Sequence, residues 1–469
     1  MPTRIRKLFG NRAFYTMVLA IVVPIIVQNA ISNFVNLLDN LMVGRIGTDQ
    51  MSGVAISNQL MFVFNIAIFG AVSGAGIFAA QYHGAGNTEG VRAAFRYKLY
   101  ICLIICLLAI LLFLTRGEQL ISLYLNDDSD PMRVQHTLDF GMQYLRIMLF
   151  GLIPFAVSQA YAGTLRETGE TKMPMYAGII AVCVNLVLNY LLIFGKLGLP
   201  RMGVRGAALA TVLSRYVELG IIIVRTHCNK RKYAFAHGLY RSLRIPLPVM
   251  REITIKGLPL LANELLWAMG TATLSQIYSL RGLDVVAALN ISSTIYNVFS
   301  VTFLSMGSAS AIIVGQALGA NAVETARDYA WKLLTFATCI GLAVCAVVCC
   351  LAPFIPLLYN TSPAIHALAT RFIVVSCLIM PAASYVNVAY FTIRSGGKTG
   401  ITFLFDCVFS WCVCIPIAYS LAHFTGLGVV WVYLFVQGLE FIKGIIGYCL
   451  IKKGIWINNI VSDAKMQLS

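Results

Sequence analysis

Gln81-Tyr82-His83-Gly84-Ala85-Gly86-Asn87-Thr88-Glu89-Gly90-Val91-Arg92 recurs, 235 residues further on, as Gln316-Ala317-Leu318-Gly319-Ala320-Asn321-Ala322-Val323-Glu324-Thr325-Ala326-Arg327. The shared pattern is Q-x-x-G-A-x-x-x-E-x-x-R. The same ungapped offset aligns Pro24 with Pro259, Gly47 with Gly282, Asp49 with Asp284, Ser57 with Ser292 and Ser73 with Ser308. A second pair follows at an offset of 228: Arg166, Gly169 and Thr171 against Arg394, Gly397 and Thr399. Two colinear matches mark an internal repeat rather than chance.

Each copy of the motif closes a long apolar run, and the composition says what those runs are. Of 469 residues, 59% are hydrophobic and 12% charged. A soluble domain carries about 25% charged residues. The alternative solvent is lipid, where a helix needs about 20 apolar residues to cross. Twelve such spans are predicted, at 14–38, 53–80, 95–114, 138–162, 174–194, 205–225, 256–280, 285–315, 329–352, 366–391, 401–421 and 427–451. The expected fold is an all-α integral membrane protein.

The net charge of +16 is a topology signal rather than a nucleic-acid footprint. With the N-terminus inside, 24 of the 35 Lys and Arg residues fall on inside segments and eight outside, while Asn126-Asp127-Asp128-Ser129-Asp130 gives an acidic outer loop. Lys196, Arg201 and Arg205 dissent. Both termini are therefore expected in the cytoplasm, in a multi-pass arrangement that suits a bacterial inner membrane. Arg4, Arg6, Lys7 and Arg12 precede a run too long for a signal-peptide core, so the first span is expected to stay uncleaved.

Six spans per repeat give both halves the same orientation. Two lobes, 1–225 and 256–469, are thus expected about an axis along the membrane normal, with 226–255 as a cytoplasmic linker and a substrate cleft between the lobes.

Polar residues inside such spans are costly, so they point at protein or water. Helix 1 carries Asn29, Asn33, Asn36 and Asn40 on one face, with Ser32 and Asp39 beside it and Pro24 as a kink site. Asn185 and Asn189, at i and i+4 on helix 5, join Asp39 as an expected ion or proton site. The second half offers Asn263, Glu264 and Trp267 on helix 7, Asn290 and Asn297 on helix 8, and Asp406 on helix 11. Tyr161, Trp267, Met306 and Tyr390 are candidate walls for a flat organic cation. Glu440 with Lys443, and Arg215 with Glu218, are expected to neutralise each other. The thirteen cysteines lack C-x-x-C or zinc spacing. Gly396-Gly397-Lys398-Thr399 is no P-loop, because Thr392 stands where its first glycine belongs. No motif for a hydrolase or metalloprotease is present, so neither an enzyme nor a cofactor is expected.

These residues resemble the MATE (multidrug and toxic-compound extrusion) family of the MOP flippase superfamily. The signatures are the doubled Gln-x-x-Gly-Ala turn, Leu165-Arg166-Glu167-Thr168-Gly169-Glu170-Thr171-Lys172-Met173-Pro174, and Gly206-Ala207-Ala208-Leu209-Ala210-Thr211. Asp39 followed by Met42, Val43 and Gly44 looks like the family's helix 1 aspartate motif. The resemblance implies two six-helix lobes and antiport of organic cations or drugs against Na⁺ or H⁺. It implies an ion-coupling set of Asp39, Asn185, Asn189 and Thr211, with any Na⁺ near Asp39. Asn189 stands where some members place an aspartate, and Glu264 lies close to a helix 7 glutamate of other branches. No obligate protein partner is expected, and the chain is expected to act as a monomer in the bilayer. A flippase for lipid-linked oligosaccharide or another lipid-like substrate is the alternative.

Overall fold

The computed structural model describes residues 8–125, 131–359 and 361–462, without the side chains of Asn36, Leu37, Asn40, Leu41 and Leu283. The acidic 126–130 stretch, Arg4, Arg6, Lys7 and the Asn36 side chain lie outside the described residues.

Twelve long helices follow one another, and no strand occurs among the described residues. They are α1 Arg12–Gly44, α2 Thr48–Gly84, α3 Thr88–Ser122, α4 Pro131–Glu167, α5 Lys172–Phe194 and α6 Val204–Cys228, then α7 Leu247–Ser279, α8 Leu283–Gly319, α9 Val323–Leu351, α10 Pro363–Ser395, α11 Thr399–Phe424 and α12 Val429–Lys453. Each coincides with one expected span to within two residues at any end that falls short. Most run past it at both ends, because helices of 33–37 residues exceed the hydrocarbon thickness. Among the described residues, eleven hold a stretch long and apolar enough to cross a membrane. The other is α7, where Asn263 and Glu264 interrupt the apolar run and Thr271, Thr273, Ser275 and Gln276 follow.

Local irregularities have local causes. A 3₁₀ turn, Leu149–Gly151, interrupts α4. Helix α11 holds two π segments, Leu404–Val408 around Asp406 and Ser410–Cys414. Such segments widen a helix by one residue per turn and re-aim side chains. Pro248 in the first turn of α7 needs no intrahelical donor, so that helix starts before the expected 256. Helix α1 continues through Pro24, which is buried.

By contact the chain falls into two units. One holds Val27–Ala79 and Thr88–Ile253. Its core gathers Ile68, Cys102, Ile121, Leu145, Leu152 and Val212. The α6–α7 connection is folded onto α3 rather than hanging free. Arg96 Nε donates to the Leu239 carbonyl at 3.1 Å, Arg92 Nε to Phe235 at 3.3 Å, and the Tyr100 hydroxyl to Leu243 at 2.9 Å. Lys232 pairs with Glu170, and that hydrogen bond raises the lysine's pKa.

The other unit holds Met1–Ile26, Ala80–Asn87 and Thr254–Ser469. Val18, Met306, Ile313, Leu333 and Trp456 share one core cluster in it, and Phe372 and Tyr433 anchor another. The two copies of the repeat motif meet inside this unit. A Cβ on Gly84 would stand 1.9 Å from the Gln316 carbonyl oxygen, and one on Gly319 would stand 1.9 Å from that of Gln81. Only glycine lets the ends of α2 and α8 cross backbone to backbone.

Candidate functional site

The first polar cluster is built from α1, α5 and α6. Asn185 and Asn189 lie one helical turn apart and are both buried. Helix α6 approaches α5 closely through its small residues. A Cβ on Gly206 would lie 2.7 Å from the Leu192 carbonyl, so this crossing too requires glycine. The approach brings Thr211 to Asn185, whose amide lies 3.3 Å from the threonine hydroxyl. Asn189 Nδ2 donates to Asp39 Oδ1 at 2.5 Å and lies 3.1 Å from the Asn185 amide. The four residues expected from sequence therefore form one connected group.

The Asn185 amide also lies 3.1 and 3.3 Å from the two Asp39 carboxylate oxygens. An ionised carboxylate prefers an amide N–H, so the amide nitrogen faces Asp39 and its oxygen faces Thr211. Among the described residues, none donates a hydrogen bond to the buried Asn189 Oδ1. Asp39, Asn185, Asn189 and Thr211 thus offer oxygens suited to a hard cation, or to proton exchange at the carboxylate. Two residues not anticipated from sequence complete the surroundings. The buried Tyr144 hydroxyl stands beside Thr211 and Asn58, within electrostatic reach of Asp39.

Elsewhere on α1, the Ser32 hydroxyl donates to the Gln28 carbonyl at 2.9 Å, Asn33 is exposed and Asn29 half-buried. Arg166, from the Leu-Arg-Glu-Thr-Gly stretch, donates to Gln28 Oε1 at 3.3 Å.

A second cluster joins α7, α10, α11 and α12. Asn263 Nδ2 donates to Asp406 Oδ2 at 3.0 Å and to the Tyr390 hydroxyl at 3.2 Å. Lys443 Nζ donates to Asp406 Oδ1 at 2.5 Å and lies 3.8 Å from Glu440. Arg394 approaches Glu264 at 3.7 Å. The expected Glu440–Lys443 pair is present at 3.8 Å, but the lysine's nearer partner is Asp406, which tertiary packing of α11 brings closer than the i,i+3 neighbour. Arg215 and Glu218 interact electrostatically, but each has a nearer or stronger neighbour. Arg215 donates to the Gly151 carbonyl at 3.1 Å, and Glu218 has Arg166 as its strongest electrostatic neighbour.

The remaining candidates separate. Trp267, Asn290 and Asn297 are exposed, on α7 and α8. Met306 is fully buried in an apolar core. Tyr161 is also fully buried, and its hydroxyl contacts His227 Nε2 at 2.9 Å and the Tyr240 hydroxyl at 2.5 Å. It fastens the α6–α7 connection instead of lining a cavity wall.

Twelve long helices, eleven of them apolar enough to cross a membrane, with charged residues clustered inside them, define a polytopic membrane protein. The MatE family model matches residues 24–191 and 259–420, one match per repeat, and the chain belongs to the MatE family. Among curated relatives, a probable multidrug resistance protein NorM of Halalkalibacterium halodurans is 25% identical over 87% of this chain and 88% of its own length. Its namesake in Bradyrhizobium diazoefficiens is 28% identical over 84% of each. An outward-facing multidrug resistance MATE transporter of the MOP superfamily superimposes with a TM-score of 0.83 at 21% identity, over 96% of this chain and 97% of that one. The fold is thus that of MATE transporters, with two sets of six helices.

Proposed function

We propose that this protein is an ion-coupled antiporter that exports organic cations and drugs, with Asp39, Asn185, Asn189 and Thr211 as its coupling site. The observation that carries the proposal is the Asp39 carboxylate held against the Asn189 and Asn185 amides, with Thr211 beside them. Family membership and the multidrug-resistance relatives support the export function.

Asp39 takes up H⁺ or Na⁺, and the Asn185 amide turns its oxygen inward. Loss of the ion returns the amide nitrogen to the carboxylate. The two arrangements bias the protein toward different conformations, and transport follows if the organic cation binds those conformations with different affinities. The exposed Asn290, Asn297 and Trp267 supply polar and aromatic contact for the cation. Asn263, Glu264 and Tyr390 supply the charged and phenolic contact, with Asp406 behind them. Arg394 and Lys443 each have a carboxylate neighbour, so this cluster presents no uncompensated positive charge to a lipid diphosphate. That favours export of cations over flipping of a lipid-linked sugar.

In the bilayer the chain works as a monomer of two lobes, 1–225 and 256–469, joined by 226–255, with both termini cytoplasmic in a bacterial inner membrane. The test is ethidium uptake by proteoliposomes under a Na⁺ gradient and, separately, a pH gradient. Accumulation under one gradient, abolished in Asp39→Asn, supports the proposal and names the ion. Uphill uptake at the wild-type rate in Asp39→Asn sinks it.

A further inference from the structure

Gln81 opens the first copy of the repeat motif, and ion coupling makes no use of it. It lies fully buried near the end of α2. Its Nε2 donates to the Ser395 carbonyl at 2.9 Å and to the Asn458 carbonyl at 3.1 Å, while its Oε1 accepts the Ile460 N–H at 2.9 Å. Both donors of the amide and one acceptor site are used.

Those partners come from two places. Ser395 ends α10, and Asn458 and Ile460 belong to the segment that follows α12. That segment turns back at Gly454, a left-handed residue with φ of 68°. Trp456 is fully buried and donates its indole N–H to Ile451 at 3.1 Å. Its carbonyl presses on α10's final turn, where a Cβ on Gly396 would be 1.7 Å away. Asn459 Nδ2 donates to Asn321 Oδ1 at 2.5 Å and to the Gly319 carbonyl at 3.4 Å. One short segment therefore touches the ends of α2, α8 and α10 together, beside the Gly84–Gly319 crossing.

The geometry points to Gln81 as a positioning residue for transport: it fastens residues 454–462 across the ends of α2, α8 and α10, and this clasp opens whenever those ends part. Separation of the α2 end from α10 and from the segment after α12 strips Gln81 of three hydrogen bonds and leaves buried carbonyls and an N–H without partners. The tail and the helix ends must then move as one cooperative unit rather than independently. Asn458, Asn459 and Gln81 hold the clasp through hydrogen bonds that water can replace on opening, which suits repeated release.

The inference rests on the transporter function proposed above. Its test uses the full chain in lipid, as wild type, Gln81→Ala and the milder Asn459→Ala. Amide hydrogen exchange is followed at 456–461, at the ends of α2 and α8, and around Asn185 and Asn189. Ethidium uptake gives kcat and KM separately. In Gln81→Ala, exchange is expected to rise about tenfold at the tail and at both helix ends together, while α5 stays as in wild type and kcat changes at least about threefold. Exchange that rises in the tail alone, with kcat unchanged, overturns the clasp. If Gln81→Ala does not fold, Asn459→Ala decides: joint loosening of the tail and the α8 end supports the clasp, and loosening of the tail alone overturns it. A wild type that accumulates no ethidium counts against the transport function, and the exchange pattern still decides whether tail and helix ends open as one.

Discussion

Gly319 sits so close to Gln81 that a methyl group on the glycine would lie 1.9 Å from the glutamine's carbonyl oxygen, and Gly84 stands in the same relation to Gln316. The relation explains why both copies of the motif read Gln-x-x-Gly: each glycine is the space into which the other copy's backbone fits. Both neighbours are backbone, so neither can yield by changing a rotamer.

Gly319→Ala and Gly84→Ala are therefore expected to lose about 3 kcal/mol, the upper end of the overpacking range. The measurement is the thermal unfolding midpoint of purified protein. Gly438→Ala is the control. No atom approaches its Cβ position within α12, so alanine there is expected to be neutral or stabilising by up to about 1 kcal/mol through helix propensity. Equal midpoints for the Gly319 and Gly438 variants would contradict the backbone crossing.

At the Asp39 cluster, the two asparagines have different duties. Asn189 donates to the carboxylate at 2.5 Å, whereas Asn185 stands farther off, at 3.1 and 3.3 Å, and also meets Thr211. Asn189→Ala is expected to lower gradient-driven uptake by about tenfold or more, and Asn185→Ala to weaken the dependence of uptake on the coupling-ion gradient. Ion titrations of the initial rate separate the two, and identical titration curves for both variants would refute the division of labour.

Tyr161→Phe removes one hydroxyl that meets two partners, His227 and Tyr240, and leaves the ring packed against Phe95 at 4.6 Å between centroids. The expected cost is about 1 kcal/mol, confined to the α6–α7 connection. Limited trypsinolysis reads it directly, since Lys230, Arg231 and Lys232 lie exposed in that connection. Cleavage there is expected to speed up while uptake stays near wild type. A large loss of uptake with unchanged cleavage would return Tyr161 to the substrate path.

All twelve helices were legible in the chain because a span of about 20 apolar residues is a local property. The Asp39, Asn185 and Asn189 grouping was legible in part: the i,i+4 step fixes one face of α5, while Thr211 came only through family resemblance. Tyr144 and Asn58 were missed, since one tyrosine and one asparagine on separate helices have no shared period. Lys443 shows the same limit in reverse. Its i,i+3 neighbour Glu440 is visible in the sequence, yet the closer carboxylate is Asp406, brought in by α11 and its π segment. Repeats announce that two copies exist, and say nothing of the copies packing on each other.

The Asp406–Lys443 pair gives the last prediction. Both side chains are largely buried, at 17% and 7% exposure. Removing one partner leaves the other charged and unmatched, which typically costs about 3–5 kcal/mol. Asp406→Asn is expected at the low end, because Glu440 at 3.8 Å retains part of the lysine's compensation. It also keeps an oxygen able to accept from Asn263. Lys443→Met leaves Asp406 beside Glu440 with no cation between them, so it is expected to cost more. The double variant Asp406→Asn, Lys443→Met is expected to regain much of that loss, since replacing a whole buried pair is commonly near neutral. Thermal midpoints of the four proteins form the double-mutant cycle. A coupling energy near zero would mean that the two charges are solvated separately, and would remove this pair from the charged cluster that faces Asn263.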